Sequence, residues 1–241
     1  FFFKQKTAYE IRNCDWSSDV CSSDLSFIVG TLDGQTVVFL PRHGRGHKQS
    51  PTSLNFRANI DAMKRLGVTE IVSLSAVGSL REDLAPGDFV IVDQFIDRSF
   101  AREKSFFGEG CVAHVSMADP VCPRLGDEIE AAAGAAGIPV KRGGTYLVME
   151  GPQFSTRAES NLYRQWGCDV IGMTNMPEAK LSHGIRDIHR LHYVKCSRPT
   201  GRHIAKSTCS SADRAHYHHS SMALRPTLAN IGTCSLFTYG D

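Results

Sequence analysis

The order of apolar and polar positions divides the middle of the chain into alternating strands and helices. Two β-rich runs lie on either side of Asp33-Gly34, which predicts a hairpin with a tight turn. Apolar residues then recur at helical spacing from Asn55 to Leu66, and Gly67 follows as a stop signal. The next apolar run predicts a strand that gives way to a small-residue loop at Ser75–Ser79.

The same alternation continues to residue 181. Thr156 and Glu159 have the spacing of a capping box, which predicts a helix that ends at Trp166-Gly167. The other predicted elements, in chain order, are a strand at residues 87–97, an Ala-rich helix from Leu125 to Ala136, strands at 144–150 and 168–173, and a helix beginning at Pro177. Strands that alternate with helices predict an α/β domain with a mainly parallel or mixed sheet.

Four places where predicted strands end carry residues suited to binding. Functional groups gather at such ends in open α/β sheets. The four places are Arg42-His43, the Ser75–Ser79 loop that begins with Ser75-Ala76, the Gly-Pro loop 150–154 that ends at Phe154, and Met173-Thr174.

These residues share a chemistry that suits a phosphate beside a flat base. Arg42 offers two N–H donors to an anion, and His43 offers a third. The backbone after Ser75 can point N–H groups at an oxyanion, Thr174 can add a hydroxyl, and Phe154 can stack on a base. Each signal also has a plain structural alternative: a surface Arg/His pair, an ordinary turn, an N-cap threonine or a core phenylalanine.

Composition and charge exclude several classes of protein. A hydrophobic content of 41%, a charged content of 22% and a net charge of +2 are ordinary for a soluble globular protein and give no reason to expect a nucleic-acid partner. No apolar run reaches about 18 residues, so no membrane span is predicted, and the first residues lack the order of a signal peptide. The eight cysteines follow no metal-site or disulfide spacing, which predicts a cytoplasmic protein without a metal.

The average composition conceals three segments. Residues 26–181 carry 16 Lys and Arg against 18 Asp and Glu, whereas residues 182–241 carry 8 against 3 and hold seven of the ten histidines. Residues 1–25 are of a third type, rich in Ser, Asp and Cys towards their end. The three compositions predict a core with two unrelated flanks.

The motif "RHG" is shared by two families. "FLPRHG" resembles the histidine-phosphatase motif, in which the histidine corresponding to His43 becomes phosphorylated with help from a later histidine. Within residues 26–181 the other histidines are His47 and His114. A phosphatase that uses His43 is an alternative interpretation, which the lack of a later partner histidine in this segment disfavours.

The second resemblance covers the whole central segment. The stretches "LPRHGRGH", "SPTSLNFRANIDAMKRLGV", "LSAVGSLREDLAPGDFVIVDQFIDRSF", "EGPQFSTRAES" and "WGCDVIGMTNMPEAKL" resemble the methylthioadenosine phosphorylases of the trimeric purine nucleoside phosphorylase family. That family implies a three-layer α/β phosphorylase fold, with a central mixed β-sheet flanked by helices and here truncated at both ends. It also implies a homotrimer that uses no metal or organic cofactor and takes inorganic phosphate as a co-substrate.

The resemblance assigns a role to individual residues. Phosphate would be held by Arg42, His43, Ser75, Ala76 and Thr174. Met173 would lie against the ribose, Phe154 and Ser155 would line the base site, and His114 would reach the 5′-methylthio group of a neighbouring subunit's substrate. No catalytic residue is assigned, because the acidic residues that contact the purine in the family have no counterpart in this chain.

The reaction implied by the family is pentosyl transfer. S-methyl-5′-thioadenosine would be cleaved by phosphate to adenine and 5-methylthioribose 1-phosphate, through attack on an oxocarbenium-like ribosyl centre. The alternative within the family is a phosphorylase for methylthioinosine, inosine or guanosine, because the residues that set base preference lie in the region that does not match.

The family pattern stops at both ends of residues 26–181. Residues 1–25 resemble translated sequencing-adapter DNA and are expected to form a disordered, non-native leader. Residues 182–241 are expected to be frameshifted or foreign, so that sheet strands are lost and the chain as written is inactive. The alternatives for this tail are a nucleic-acid arm or a metal site built from Cys209, His216, His218, His219 and Cys234.

Overall fold

A computed structural model describes residues 27–32, 34–44 and 46–184, together with the backbone of residues 190–199 and 235–238. The strands are β1 (Ile28–Leu32), β2 (Gln35–Leu40), β3 (Glu70–Ser79), β4 (Phe89–Val92), β5 (Gln94–Arg98), β6 (Val140–Arg142), β7 (Thr145–Met149), β8 (Val170–Gly172), β9 (Arg190–Pro199) and β10 (Ser235–Thr238). The helices are α1 (Phe56–Arg65), α2 (Pro123–Ala135), α3 (Arg157–Gln165) and α4 (Asn175–His183). The leader 1–25 and the proposed metal ligands of the tail lie outside the described residues.

The strands form one mixed sheet. One path through it runs β1-β2-β10-β3-β8-β7-β5, and β9 joins β3 to β4, which in turn pairs with β6. The pairs β3–β9, β5–β7, β7–β8 and β4–β6 are parallel, whereas β1–β2, β2–β10, β10–β3, β3–β8 and β4–β9 are antiparallel. The predicted α/β class with a mixed sheet and flanking helices is confirmed.

The predicted hairpin leads directly to the first candidate residues. Ile28 pairs with Phe39 and Leu32 with Gln35, and Gly34 has a φ of +84° that suits glycine at a tight turn. β2 ends at Leu40, so Arg42 lies two residues past a strand whose inner side chains are buried. The hairpin therefore delivers Arg42 and His43 to the end of the sheet.

Two strand predictions were wrong because long-range pairing decides the strand limits. Ser75–Ser79 is not a loop: β3 continues to Ser79, since β9 pairs with it from Glu70 to the last residue. The predicted strand at 87–97 is two strands, β4 and β5, that separate at Asp93. β4 pairs with β6 and β9, whereas β5 pairs with β7. Neither partner is visible in the local sequence.

Backbone from the region 182–241 lies inside the sheet. β9 separates β3 from β4, and β10 separates β2 from β3. The expectation that sheet strands are lost after residue 181 is therefore wrong for β9 and β10, whereas the foreign origin of residues 182–241 stays a prediction. Hydrogen bonding along a strand uses the backbone, so a sequence of unusual composition can still occupy such a position.

Side-chain caps mark the first turns of α1 and α3. The Oδ1 atom of Asn55 accepts a hydrogen bond from the Ala58 amide at 3.0 Å and starts α1. The capping box of α3 is confirmed, with Thr156 and Glu159 bonded to each other's backbone amides. Helix α4 begins at Asn175, two residues before the predicted Pro177, and has a kink at Met176. None of the described helices has the length and apolar character needed to cross a membrane.

The main core joins the hairpin, α1 and α4. Val38 and Leu40 of β2 share one buried cluster with Ile60 and Met63 of α1 and with Leu181 of α4. Burial of each such side chain stabilises the fold by about 1.5–3 kcal/mol relative to exposure. The cluster therefore anchors both the Arg42 turn and the first turn of α4, which lie at the same end of the sheet.

Two glycines provide a matched test of the packing. A Cβ at Gly172 would overlap the hydroxyl of the fully buried Tyr146, whereas a Cβ at Gly134, inside α2, meets no atom within 4 Å. We expect Gly172→Ala to lower the free energy of unfolding by about 1–3 kcal/mol and Gly134→Ala to raise it by about 0.5–1 kcal/mol. Urea denaturation measures both, and equal effects would contradict the packing of Tyr146 on β8.

Candidate active site

Arg42 is the centre of a buried polar cluster. The residue is completely buried, and each nitrogen of its guanidinium group lies within 3.3 Å of a side-chain oxygen. Its Nη1 donates to Ser75 Oγ at 3.0 Å and to Thr174 Oγ1 at 3.2 Å. Three residues predicted from separate strand ends thus meet within hydrogen-bonding distance.

The hydroxyl groups of this cluster are linked to one another. Ser75 Oγ lies 3.1 Å from Thr174 Oγ1, and both oxygens accept hydrogen bonds from Arg42. A hydroxyl has one proton, so one of these two protons serves the mutual bond, and the other can be donated to the neighbouring Tyr146 hydroxyl or to an incoming acceptor. An anion beside this pair would meet a hydroxyl donor backed by a positive charge.

Two members of the cluster were missed by the sequence reasoning. Ser73 Oγ accepts from Arg42 Nη2 at 2.5 Å, and the carboxylate of Glu178 lies 3.1 Å from Nε and 3.3 Å from Nη2. Ser73 precedes Ser75 by two residues on β3, so strand alternation places both on one face. That spacing could have identified Ser73, whereas Glu178 lies within a helix and gives no comparable signal.

His43 is buried and already has a hydrogen-bond partner. Its Nδ1 lies 2.9 Å from the Gln49 carbonyl oxygen, and its ring stacks on that of His47 with centroids 4.1 Å apart. A carbonyl only accepts, so Nδ1 carries the proton and Nε2 of the neutral ring is an acceptor. The sequence predicted that an N–H group of His43 would donate to an anion. In the structure this N–H group is on Nδ1 and donates to the Gln49 carbonyl oxygen.

The environment of His43 favours the neutral ring. Burial lowers its pKa, and the nearby His47, Arg42 and Arg102 lower it further, whereas the bond to Gln49 acts in the opposite direction. The resulting pKa is about 4, below the ordinary value of 6.5. His43 is consequently uncharged at neutral pH in the absence of a ligand.

A second buried ion pair connects several strand ends. Arg102 Nε lies 3.0 Å from Glu150 Oε1, and the arginine also donates to the carbonyl oxygens of Glu150 at 2.6 Å, Met173 at 2.5 Å and Met176 at 2.6 Å. Arg102 lines a cleft of about 350 Å³ together with Thr52 and Arg57. None of these contacts was predicted from the sequence.

The residues predicted to hold a nucleoside are only partly together. Met173 packs on Gly151, where its sulfur lies 2.5 Å from the position that a Cβ would occupy, and Gly151 has a φ of +72°. Ser155 is buried, and its Oγ lies 2.8 Å from Ser160 Oγ. Phe154 is 74% exposed, so its ring lies on the surface.

Two further predicted residues lie away from the Arg42 cluster or face outward. Ala76 is exposed on β3, next to the buried Ser75. His114 is exposed and lines a separate cleft of about 270 Å³ with Phe106, Phe107 and Lys180. Among the described residues, no group of three or more His, Cys, Asp or Glu side chains is arranged to hold a metal ion.

Comparison with known proteins decides the family. A family model described as "Phosphorylase superfamily" matches residues 13–188, which is well over half of the chain. The chain belongs to the phosphorylase superfamily. The family membership predicted from the motifs is thereby confirmed, and the match extends beyond residues 26–181 at both ends.

Two relatives within this superfamily are S-methyl-5′-thioadenosine phosphorylases. The S-methyl-5′-thioadenosine phosphorylase of Rhodospirillum rubrum is 73% identical over 153 residues, which cover 64% of this chain and 52% of the relative. The S-methyl-5′-thioadenosine phosphorylase of Cereibacter sphaeroides is 57% identical over 206 residues, which cover 86% of this chain and 66% of the relative. The chain thus spans about half to two thirds of the length of these curated relatives.

Solved structures of the superfamily have the same fold. A methylthioadenosine phosphorylase from an Antarctic soil metagenomic library superposes with a TM-score of 0.71 at 48% identity, covering 78% of this chain and 66% of that one. The methylthioadenosine phosphorylase of Schistosoma mansoni superposes with a TM-score of 0.68 at 34% identity, covering 73% and 69%. The mixed sheet described above is therefore a phosphorylase sheet.

The low pKa of His43 predicts a loss of stability in mild acid. Between pH 6.5 and about 4 the unfolded ring binds a proton that the folded ring does not, so the free energy of unfolding falls as the pH is lowered through this window. The loss attributable to His43 should reach about 3 kcal/mol near pH 4. Chemical denaturation at pH 7 and pH 4.5 should show a smaller acid loss for His43→Asn than for the parent.

The control for this experiment is His114→Asn, because that side chain is exposed. Its acid loss should equal that of the parent chain. The carboxyl group of Glu150 does not interfere: burial raises its pKa, but hydrogen bonds from Thr52, Phe100, Ala101 and Arg102 outweigh burial and lower it to about 2. Equal acid losses for the parent and His43→Asn would contradict a buried neutral ring.

Proposed function

We propose that this protein is a pentosyltransferase that cleaves S-methyl-5′-thioadenosine with inorganic phosphate, giving adenine and 5-methylthioribose 1-phosphate. The observation that supports this function best is the convergence of Arg42, Ser75 and Thr174 at one end of the sheet. The names of the relatives agree with it. The proposed enzyme needs no cofactor beyond its co-substrate and acts as a cytoplasmic homotrimer.

The anion side supplies charge and hydroxyl donors. Phosphate would bind against Ser75 and Thr174, with Arg42 behind them and the neutral Nε2 of His43 as an acceptor for the proton of monohydrogen phosphate. Ala76 would contribute its backbone. These groups hold phosphate as a nucleophile and require no covalent intermediate on His43.

The reaction would depend on positioning more than on a strong nucleophile. Phosphate attacks poorly, so the glycosidic bond must weaken first, and the ribosyl centre becomes oxocarbenium-like. A phosphate anion held beneath that centre both stabilises its positive charge and completes the displacement. The buried Arg42 cluster fixes where the anion lies before the bond breaks.

The nucleoside side would be built from the loop after β7 and the end of β8. Met173, packed on Gly151, would lie against the ribose, and Phe154 with Ser155 would line the base. The exposed cleft around His114 would receive the 5′-methylthio group of a neighbouring copy's substrate in a trimer. An apolar end of this kind discriminates only modestly against a 5′-hydroxyl group.

Phosphate-dependent release of adenine tests the proposed function. Recombinant 1–241 should convert methylthioadenosine to adenine only when phosphate is present, as measured by chromatography. Thr174→Val should raise the KM for phosphate about 10- to 100-fold, because it removes a hydroxyl that faces a charged ligand while keeping the shape of the side chain. Thr31→Val on the exposed hairpin is the matched control and should leave KM unchanged.

Three other results would overturn or revise this function. Acid-labile ³²P on His43 after incubation with a phosphomonoester would support the histidine phosphatase. Faster cleavage of methylthioinosine, inosine or guanosine would reassign the base. No phosphate-dependent cleavage of any of these nucleosides would overturn the proposed function for this chain.

A further inference from the structure

We propose that two buried arginine–carboxylate pairs act as separate positioning devices, Arg42–Glu178 for the anion and Arg102–Glu150 for the nucleoside. Glu178, Arg102 and Glu150 would not touch the reacting atoms. They are positioning residues, each acting through the groups that it holds. This inference rests on the proposed function. It goes further by naming the buried charges that set the affinity for each substrate.

Glu178 determines which edge of Arg42 faces the hydroxyls. Its two carboxylate oxygens lie 3.1 Å from Nε and 3.3 Å from Nη2 of Arg42, so they engage one edge of the planar guanidinium group. The remaining nitrogen, Nη1, points to Ser75 and Thr174. Both side chains of the ion pair are at least 94% buried, so water cannot replace the carboxylate as a partner without opening the core.

Helix α4 carries both halves of this arrangement. Thr174 is its N-cap residue and Glu178 lies four residues further along, beyond the kink at Met176, so α4 presents both the hydroxyl and the carboxylate to Arg42. Arg42 fits between them from the hairpin. The position of the anion donors therefore depends on the ion pair that joins α4 to the end of β2.

The side chain of Arg102 holds the segments proposed to bind the nucleoside, through hydrogen bonds to their backbone carbonyl groups. Its Nη2 donates to the carbonyl oxygen of Glu150 at the end of β7, and its Nη1 donates to the carbonyl oxygens of Met173 and Met176 after β8. One rigid guanidinium group thus sets the distance between two adjacent strand ends. Those strand ends lead into the Gly151–Ser155 loop and into Met173, the segments proposed to hold base and ribose.

Glu150 in turn holds Arg102 and two loops. Its carboxylate accepts from Arg102 Nε, from Thr52, and from the amides of Phe100 at 2.7 Å and Ala101 at 3.1 Å. With this many donors the carboxylate stays ionised over the working pH range, since its pKa lies at about 2. Neutralising it would leave the guanidinium and both amides short of a buried acceptor.

The two pairs should therefore have separable effects on affinity. The partners of Arg42 include side-chain hydroxyls that would touch phosphate, whereas most partners of Arg102 are backbone carbonyls of the nucleoside segments, and one is the Met176 carbonyl of α4. Arg102 also bonds Met176 in α4 and lies near enough to His43 to lower the pKa of that ring, so a cross-effect smaller than the main effect is expected. The main effect of each pair should fall on one substrate.

Glu178→Gln and Glu150→Gln are isosteric substitutions at two buried glutamates and serve as controls for each other. Calorimetric titration of each variant of 1–241 with phosphate and with methylthioadenosine gives four dissociation constants, which are compared with the two of the parent chain. We expect Glu178→Gln to raise the Kd for phosphate about tenfold or more and to change the Kd for methylthioadenosine less than about threefold. Glu150→Gln should show the reverse.

A second variant of each pair keeps the test decisive if a Gln variant does not fold. Arg42→Lys should weaken phosphate selectively, and Arg102→Lys should weaken the nucleoside selectively, because a lysine ammonium cannot reproduce the planar fork. Restoration of more than half of the lost affinity by Glu178→Asp would support a positioning role, since the carboxylate is retained.

The outcomes separate this inference from the function on which it rests. A parent chain that binds both ligands, with variants that weaken both equally, overturns the inference alone. Variants that bind both ligands as the parent does also overturn it. A parent chain that binds neither phosphate nor methylthioadenosine overturns the proposed function, and the positioning roles with it.

Discussion

A guanidinium group with no access to water is the constraint from which the rest of the site follows. Transfer of such a charge out of water costs several kcal/mol, and only well-placed partners offset this cost. Arg42 obtains them from β3 and α4, which must therefore stay in register with the end of β2. Exposed pairs such as Arg65–Asp61 have no comparable structural effect, since their net contribution is about 0–1 kcal/mol.

This dependence explains why the polar cluster lies against the main core. The apolar residues of β2, α1 and α4 hold the backbone in place, and the ion pair then determines how the end of α4 faces the sheet. Glu150 and Arg102 do the same for the ends of β7 and β8. In both places the surrounding strands and helices provide hydrogen-bond partners that offset the cost of burying the charge. The buried charge in turn fixes how these elements are aligned, because it would lose its partners if they shifted.

The sequence was informative wherever a local signal controls the structure. The Asp33-Gly34 turn, the apolar spacing from Asn55 and the Thr156–Glu159 capping box predicted their elements, and the strand-end rule selected Arg42 and Thr174. The rule also selected Ser75, although β3 continues past it to Ser79. The extent of β3 and the break at Asp93 were mispredicted, because β9 and β7 set them from far along the chain. Glu178 and Arg102 were missed because a charged residue gives no sequence signal that it will be buried.

The position of β10 has a consequence for the order of assembly during synthesis. β2 and β3 leave the ribosome early, but β10, which lies between them, is made only after all the elements from β4 to β9. Until then their facing edges have unpaired amides and carbonyls, which are the groups through which nascent chains associate. Translation speed and chaperone supply should therefore matter more for the yield of folded protein than the final stability of the sheet would suggest.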